Sequence, residues 1–183
     1  MSQFAPEGKL SIEAFQWKHW RSLWQLRFCQ LAEHGVHLPP DAFPPHPAEV
    51  ERDDAEWDYH HMAAVYLKGA GGFWLAHSDA VPVGHVGGQD IGGAVELRRM
   101  YVRAEFRRCG IGQRLVRTLV AHCAQQGISA VELWTAQAGA GRKLYETAGF
   151  HAVDAPGSEF ANVAIIIGWT PGADEIRMRL QLD

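Results

Sequence analysis

The stretch that most constrains this chain is residues 95–135. Val95 to Val102 reads as a strand, and Gly112 opens an amphipathic helix that runs to Gln126. Leu115, Val116, Leu119, Val120 and Cys123 form one stripe of that helix, while Gln113, Arg114 and Arg117 lie away from it. Gly127 ends it, and residues 130–135 form a short strand. Strand, helix, strand predicts two parallel neighbours in one sheet, joined by a right-handed crossover. Strands are also expected at 73–77 and 83–89, with turns at Asp79 and at Gly92-Gly93. A helix at 142–148 ends at Gly149, and strands follow at 150–154, 163–167 and 176–182. Upstream, Trp17, Trp20, Leu23, Trp24, Arg27 and Leu31 recur at three- and four-residue steps, which predicts a helix over 12–33 that Gly35 can end. Pro39, Pro40, Pro44, Pro45 and Pro47 exclude regular structure over 38–47, and 49–67 reads as a second helical stretch. The order predicts an α+β domain around a mixed sheet.

At 183 residues the chain suits one domain with a sizeable core. Its 47% hydrophobic and 21% charged residues exclude disorder, and a net charge of −4 argues against nucleic acid or an anionic membrane. Cys29, Cys109 and Cys123 lack metal-type spacing and cannot all pair, which suits reduced thiols in a cytoplasmic protein. Residues 1–20 carry Glu7, Lys9, Glu13 and Lys18 and do not resemble a signal peptide. The most apolar run, 163–167, is too short to span a bilayer.

The loop from Met100 to Gln113 carries the chemistry. It leads from a strand into a helix N-terminus, where unpaired N–H groups and a partial positive charge gather. Gly110 and Gly112 let the backbone bend and approach a ligand, and Arg107 and Arg108 add full charges. Seven arginines lie between Arg98 and Arg117 in a chain of negative net charge. This is a phosphate-binding loop. A Walker loop is excluded because no Gly-Lys-Ser or Gly-Lys-Thr follows, and the dinucleotide fingerprint because position 115 is Leu. Glycines that only shape a turn, with solvated arginines, are the alternative.

At these residues the chain resembles the GNAT superfamily of N-acetyltransferases. Arg107, Gly110 and Gly112 match its signature of Arg or Gln, two residues, Gly, one residue, then Gly or Ala. Glu96 to Val102 resembles the family's central strand, and Leu144-Tyr145-Glu146 with Gly149-Phe150 its second motif. The resemblance covers roughly residues 73–150. It implies a single domain over 1–183, with a helical acceptor-side region (1–68), an acetyl-CoA-binding core (69–155) and C-terminal strands (156–183). The fold it implies is α+β, a mixed and mostly antiparallel central sheet flanked by helices.

The resemblance also implies roles. Backbone groups of Met100, Tyr101 and Val102 would run along the pantetheine arm. N–H groups from Arg107, Arg108, Cys109, Gly110, Ile111, Gly112 and Gln113 would hold the pyrophosphate. Tyr145 would protonate the departing thiolate, and Glu96 falls where one branch of the family places a general base. Direct acetyl transfer to a small-molecule or peptide amine is the implied reaction, without a metal. Many members carry Asn where this chain has Ala138, and Ala where it has Gly141.

An amine must be neutral to attack a thioester, and a lysine-like amine of pKa about 10.4 is neutral in only about one molecule in a thousand at pH 7. Glu96 would supply the base. Its alternative role is a strand carboxylate paired with Arg98 or Arg99, and alternation, which places Glu96, Arg98, Met100 and Val102 on one face, favours Arg98. The alternative for Tyr145 is packing against Phe150. Cys109 reads as an oxidisable thiol. Adjacent His60 and His61 diverge on a helix, and His34 with His37 lacks a third ligand, so no metal site is expected. His85 reads as a strand residue facing the cleft, structural or within reach of substrate. Trp57, Tyr59 and the proline-rich loop are candidates to wall the acceptor pocket. The other functional readings are an acyl-CoA-binding regulatory module without turnover and a nucleic-acid binder using the arginines. Negative net charge favours a cationic acceptor, and edge strands near the C-terminus allow a homodimer.

Overall fold

Gly92 and Gly93 turn the chain back on itself with φ of +82° and +88°, the left-handed pair a tight hairpin needs. Strand β3 (Val81–Asp90) thereby meets β4 (Val95–Val102) in antiparallel register. The computed structural model describes residues 8–39, 42–44, 57–153 and 174–182. Among them β2 (Gly72–Ser78) and β1 (Leu10–Ala14) extend the sheet on one side. On the other side, helix α4 (Ile111–Gln125) carries the chain across to β5 (Ala130–Ala136), which lies parallel to β4. The chain then runs through α5 (Ala140–Thr147), β6 (His151–Val153) and β7 (Glu175–Gln181). The strand order is β1-β2-β3-β4-β5-β7-β6, and β4/β5 is its one parallel pair. This is the expected mixed, mostly antiparallel sheet. The last strand in sequence is interior, and β6 forms the edge.

Two cores flank the sheet. Val95, Leu97, Val131 and Leu133 point to one face, where they bury Ile111, Leu115, Val116, Leu119 and Cys123 of α4 together with Tyr145 and Phe150. The α4 stripe thus packs as its spacing predicts, with Val120 partly buried. The other face is covered by α1 (Trp20–Glu33), α2 (Trp57–His60) and α3 (Met62–Val65), through Leu23, Trp24, Leu26, Tyr59, Met62 and Tyr66.

Three expectations change. The helix expected over 12–33 starts at Trp20, after a 3-10 turn at Trp17–His19. Leu10–Ala14 is instead strand β1, because its backbone pairs with β2 from Leu10↔Ser78 to Ala14↔Trp74. The stretch 49–67 yields two single-turn helices from residue 57 onward, and residues 49–56 lie outside the described chain, as does the strand expected at 163–167. Finally, β4 is bulged. His85 pairs with Tyr101 and Gly87 with Arg98, so Arg99 and Met100 together oppose Val86. Arg99 takes φ +49° there. Alternation therefore breaks: Met100 and Val102 pack on the α4 side with Val95 and Leu97, while Tyr101 joins the core beneath α1. Glu96 and Arg98 face that second side without Met100 and Val102, contrary to strict alternation.

Candidate functional site

Strands β4 and β5 pair only at Val95↔Val131 and Glu96↔Glu132. Beyond that point β4 stays with β3 and β5 with β7, and the two part. The N-termini of α4 and α5 stand over the parting. A cavity of about 700 Å³ opens beside the end of β4, lined by Met100, Tyr101, Val102, Arg107, Arg108 and Gly110 among others. Gly112, Gln113, Ala140, Gly141 and Leu144 close its helical side, and Gln30, Glu33 and His34 of the α1 end close the other.

The loop from Arg107 to Gln113 gathers backbone donors at the start of α4. Gly110, at φ +78°, is the N-cap of α4, and no side chain caps the helix. Arg114 N–H donates to Gly110 O at 3.1 Å, so the N–H groups of Ile111, Gly112 and Gln113 lie ahead of the helical ladder. A Cβ on Gly110 would meet nothing within 4 Å, so that position needs glycine for its backbone angle. At Gly112 a Cβ would lie 3.3 Å from Met100 Cε and 3.3 Å from Leu144 Cδ2. Arg108, at φ +61°, is exposed on the cavity rim. Arg107 turns the other way: Nε donates to Val102 O at 2.8 Å, and Nη2 donates to Glu33 Oε2. Tyr101 Oη donates to Glu33 Oε1 at 2.7 Å. Burial opposes the charge on Glu33, but the bonds from Tyr101 and Arg107 outweigh it and hold the carboxyl below its ordinary range. Cys109 is partly buried, with Sγ 3.5 Å from Arg107 O.

Glu96 and Tyr145 lie on opposite faces of the sheet, and neither lines the cavity. Glu96 is 6% exposed, beside Glu132. Burial raises its pKa, with the nearby Arg98 pulling down and Glu132 pushing up. The anticipated ion pair with Arg98 does not form: Arg98 Nη1 donates to Gln89 Oε1 at 2.8 Å. Glu132 instead receives Arg177 (Nε, 3.1 Å) and Arg179 (Nη1, 2.7 Å) of β7. Tyr145 packs edge-on to Phe150 at 5.9 Å, and burial raises its pKa. Its hydroxyl has no hydrogen-bond partner among the described residues.

Sequence reasoning missed a buried cluster under the bulge. Arg99 Nε and Nη2 donate to Asp58 at 2.8 and 2.5 Å, and Tyr66 Oη donates to the same carboxylate. Arg99 also stacks over Tyr59 at 4.6 Å. His85 is fully buried, and burial takes its pKa down to about 3. Its Nδ1 lies 2.5 Å from Arg99 O, an acceptor, so the proton sits on Nδ1. His85 and Tyr59 thus brace the bulge from inside the core rather than facing a cleft. Among the described residues no three His, Cys, Asp or Glu side chains are placed to hold a metal ion. Nor is any helix there long and apolar enough to cross a membrane.

Known proteins share this fold. An acetyltransferase from Streptococcus agalactiae superposes with a TM-score of 0.69 over 96% of this chain and 99% of its own, at 16% identity. The PaiA N-acetyltransferase of Thermoplasma acidophilum, crystallised with coenzyme A, gives 0.64 over 95% and 99% at 14% identity. At such identities the likeness is one of fold. In sequence, N-acetylaspartate synthetase of Danio rerio is 39% identical over 100 residues, which is 52% of this chain and 36% of that protein. The chain thus spans little more than a third of that relative's length. The model of the acetyltransferase (GNAT) family matches residues 20–150, from α1 through the parted strands to the end of α5, and the chain belongs to that family.

Proposed function

We propose that the chain binds acetyl-CoA in the cavity between the end of β4 and the N-termini of α4 and α5 and transfers the acetyl group directly to a primary amine. The observation that carries this reading is the uncapped start of α4, with its free N–H groups, standing over a parted pair of strands. In this reading the N–H groups of Ile111, Gly112 and Gln113, with Arg108, bind the pyrophosphate. Met100, Tyr101 and Val102 line the pantetheine arm. Val102 O already accepts from Arg107, so Met100 and Tyr101 offer the freer backbone.

Acetyl-CoA supplies an acetyl group activated as a thioester. Glu96 takes a proton from the acceptor's ammonium, and its raised pKa brings it nearer to that task. The amine nitrogen then bonds to the acetyl carbon, and the carbon–sulfur bond breaks with its electron pair going to sulfur. Tyr145 gives its proton to that sulfur and regains one from the nitrogen's remaining surplus proton, through solvent. Burial keeps the Tyr145 hydroxyl protonated until then, as an acid requires.

Isothermal titration of acetyl-CoA against wild type and a folded Gly110→Trp/Gly112→Trp variant tests the site. Binding in wild type and its loss in the variant are expected. No binding to wild type would sink the reading. Tyr145→Phe should bind acetyl-CoA equally and slow thiol release by about a hundredfold, the usual worth of a positioned acid. Binding without turnover on any amine would leave an acyl-CoA-binding module instead.

A further inference from the structure

Net charge says little about the acceptor, because the face around Glu96 has its own balance. Arg98, Arg99, Arg177 and Arg179 all lie there. Asp58 takes Arg99, and Glu132 takes Arg177 and Arg179. Arg98 makes no ion pair with a carboxylate among the described residues: its guanidinium donates to the neutral Gln89 side chain, and its charge reaches Glu96 and Asp58 only through space. Gln89 stands directly across from Glu96 in the β3/β4 ladder. The guanidinium therefore leans back along the strand toward Glu96. Opposite Arg98 itself is Gly87, whose missing side chain leaves room filled by the rings of Tyr66 and Phe73, so that flank is apolar. Arg98 remains partly exposed while Glu96 is buried.

We propose that Arg98 anchors a carboxylate of the acceptor and that the acceptor is a free α-amino acid, its amine at Glu96 and its carboxylate at Arg98. This rests on the acetyl transfer proposed above. The backbones of two strand residues on one face are about 6.6 Å apart along the strand, and the guanidinium leaning toward Gln89 brings the charged ends nearer than that. The amine and carboxylate of an α-amino acid hang from one carbon. With a hydrogen bond of about 2.9 Å at each end, they bridge such a gap. The opposed charges of the zwitterion match the site in order, anion at Glu96 and cation at Arg98. An amine without a carboxylate leaves Arg98 unpaired beside the ligand, and a second positive charge there is repelled. Arg98 so placed sets specificity; its charge also draws the Glu96 pKa down, an effect that acts alike on acid and amide and is removed by comparing the two substrates at one pH above the acid limb.

The test measures thiol release at saturating acetyl-CoA with each of the twenty amino acids and, in parallel, their α-amides. Wild type should turn over at least one free amino acid with kcat/KM roughly tenfold or more above its amide, the worth of a charged hydrogen-bonded contact. Arg98→Gln should lose about ten- to a hundredfold on the acid, chiefly in KM, and close the gap between acid and amide. Arg98→Lys should fall between. Both variants should keep the wild-type affinity for acetyl-CoA, which also shows that they fold. Equal use of acid and amide by wild type overturns the assignment. So does turnover confined to amines without a carboxylate, an equal loss on both substrates in Arg98→Gln, or acetyl-CoA binding with no amino acid used. Absence of acetyl-CoA binding would instead fell the acetyltransferase reading, and this inference with it.

Discussion

Replacing Asp58 by Ala should damage the fold well beyond the volume removed. The Asp58 side chain is 4% exposed and Arg99 21%. Burial alone would favour the neutral acid, but the bonds and charge of Arg99, with the Tyr66 hydroxyl, hold Asp58 below the ordinary carboxylate range. Truncation strands a guanidinium and a phenol in the core beneath β4. Breaking one side of a buried pair costs about 3–5 kcal/mol. For a chain of this size each kcal/mol moves Tm by about 2–4 °C, so a fall of roughly 6–20 °C is expected. Circular dichroism melts and urea titrations would measure it. Adding Arg99→Met to Asp58→Ala should recover part of the loss, because the uncompensated charge is then gone. The pH dependence carries the same sign. A depressed carboxyl contributes stability that is present above its unfolded pKa of about 3.9 and lost as pH falls through the lower folded value. Asp58→Ala should flatten that acid limb. A loss under about 1 kcal/mol, or no recovery in the double variant, would refute the view that this pair holds the bulge.

Glu96→Gln tests the base. The raised pKa of Glu96 should put the acid limb of kcat/KM above the 4.3 of an ordinary glutamate, with the rate rising as pH rises through it. The amide should lower the rate by about a hundredfold and remove that limb, and an unchanged pH profile would clear Glu96 of the role. Glu33→Gln tests the opposing charge at the phosphate loop. Glu33 now holds Arg107 across the cavity, so its neutralisation should tighten acetyl-CoA by about two- to fivefold at low salt, and less at high salt. Weaker binding would mean that Glu33 orients Arg107 for the ligand.

What could be read from the chain was local. The α4 stripe, the glycines at 92 and 93, and the Arg107–Gly112 loop each carry their signal within a few residues, and each appears where expected. What could not be read depended on distant partners. Leu10–Ala14 is a strand only because β2 offers its edge. Nothing around Arg99 advertises a bulge, since no glycine marks the left-handed residue, and the side chain that pays for the angle, Asp58, is 41 positions away. That unseen residue decides which way Met100 and Val102 face. Arg98 was legible as a charge but not as an unmatched one, because Glu132 draws its arginines from β7.

The parting of β4 and β5 gives this sheet an edge in its interior. An outer edge invites a neighbouring chain to pair with it. Here the flanks are held by β3 and β7 and the top by two helices, so only something narrow and extended can complete the ladder. In the proposed reading acetyl-CoA acts as the missing strand. A ligand at a hundred times its Kd adds about 2.7 kcal/mol of stability. The slowing of amide hydrogen exchange on adding acetyl-CoA should concentrate at Met100–Val102 and the first turn of α4, which line the cavity.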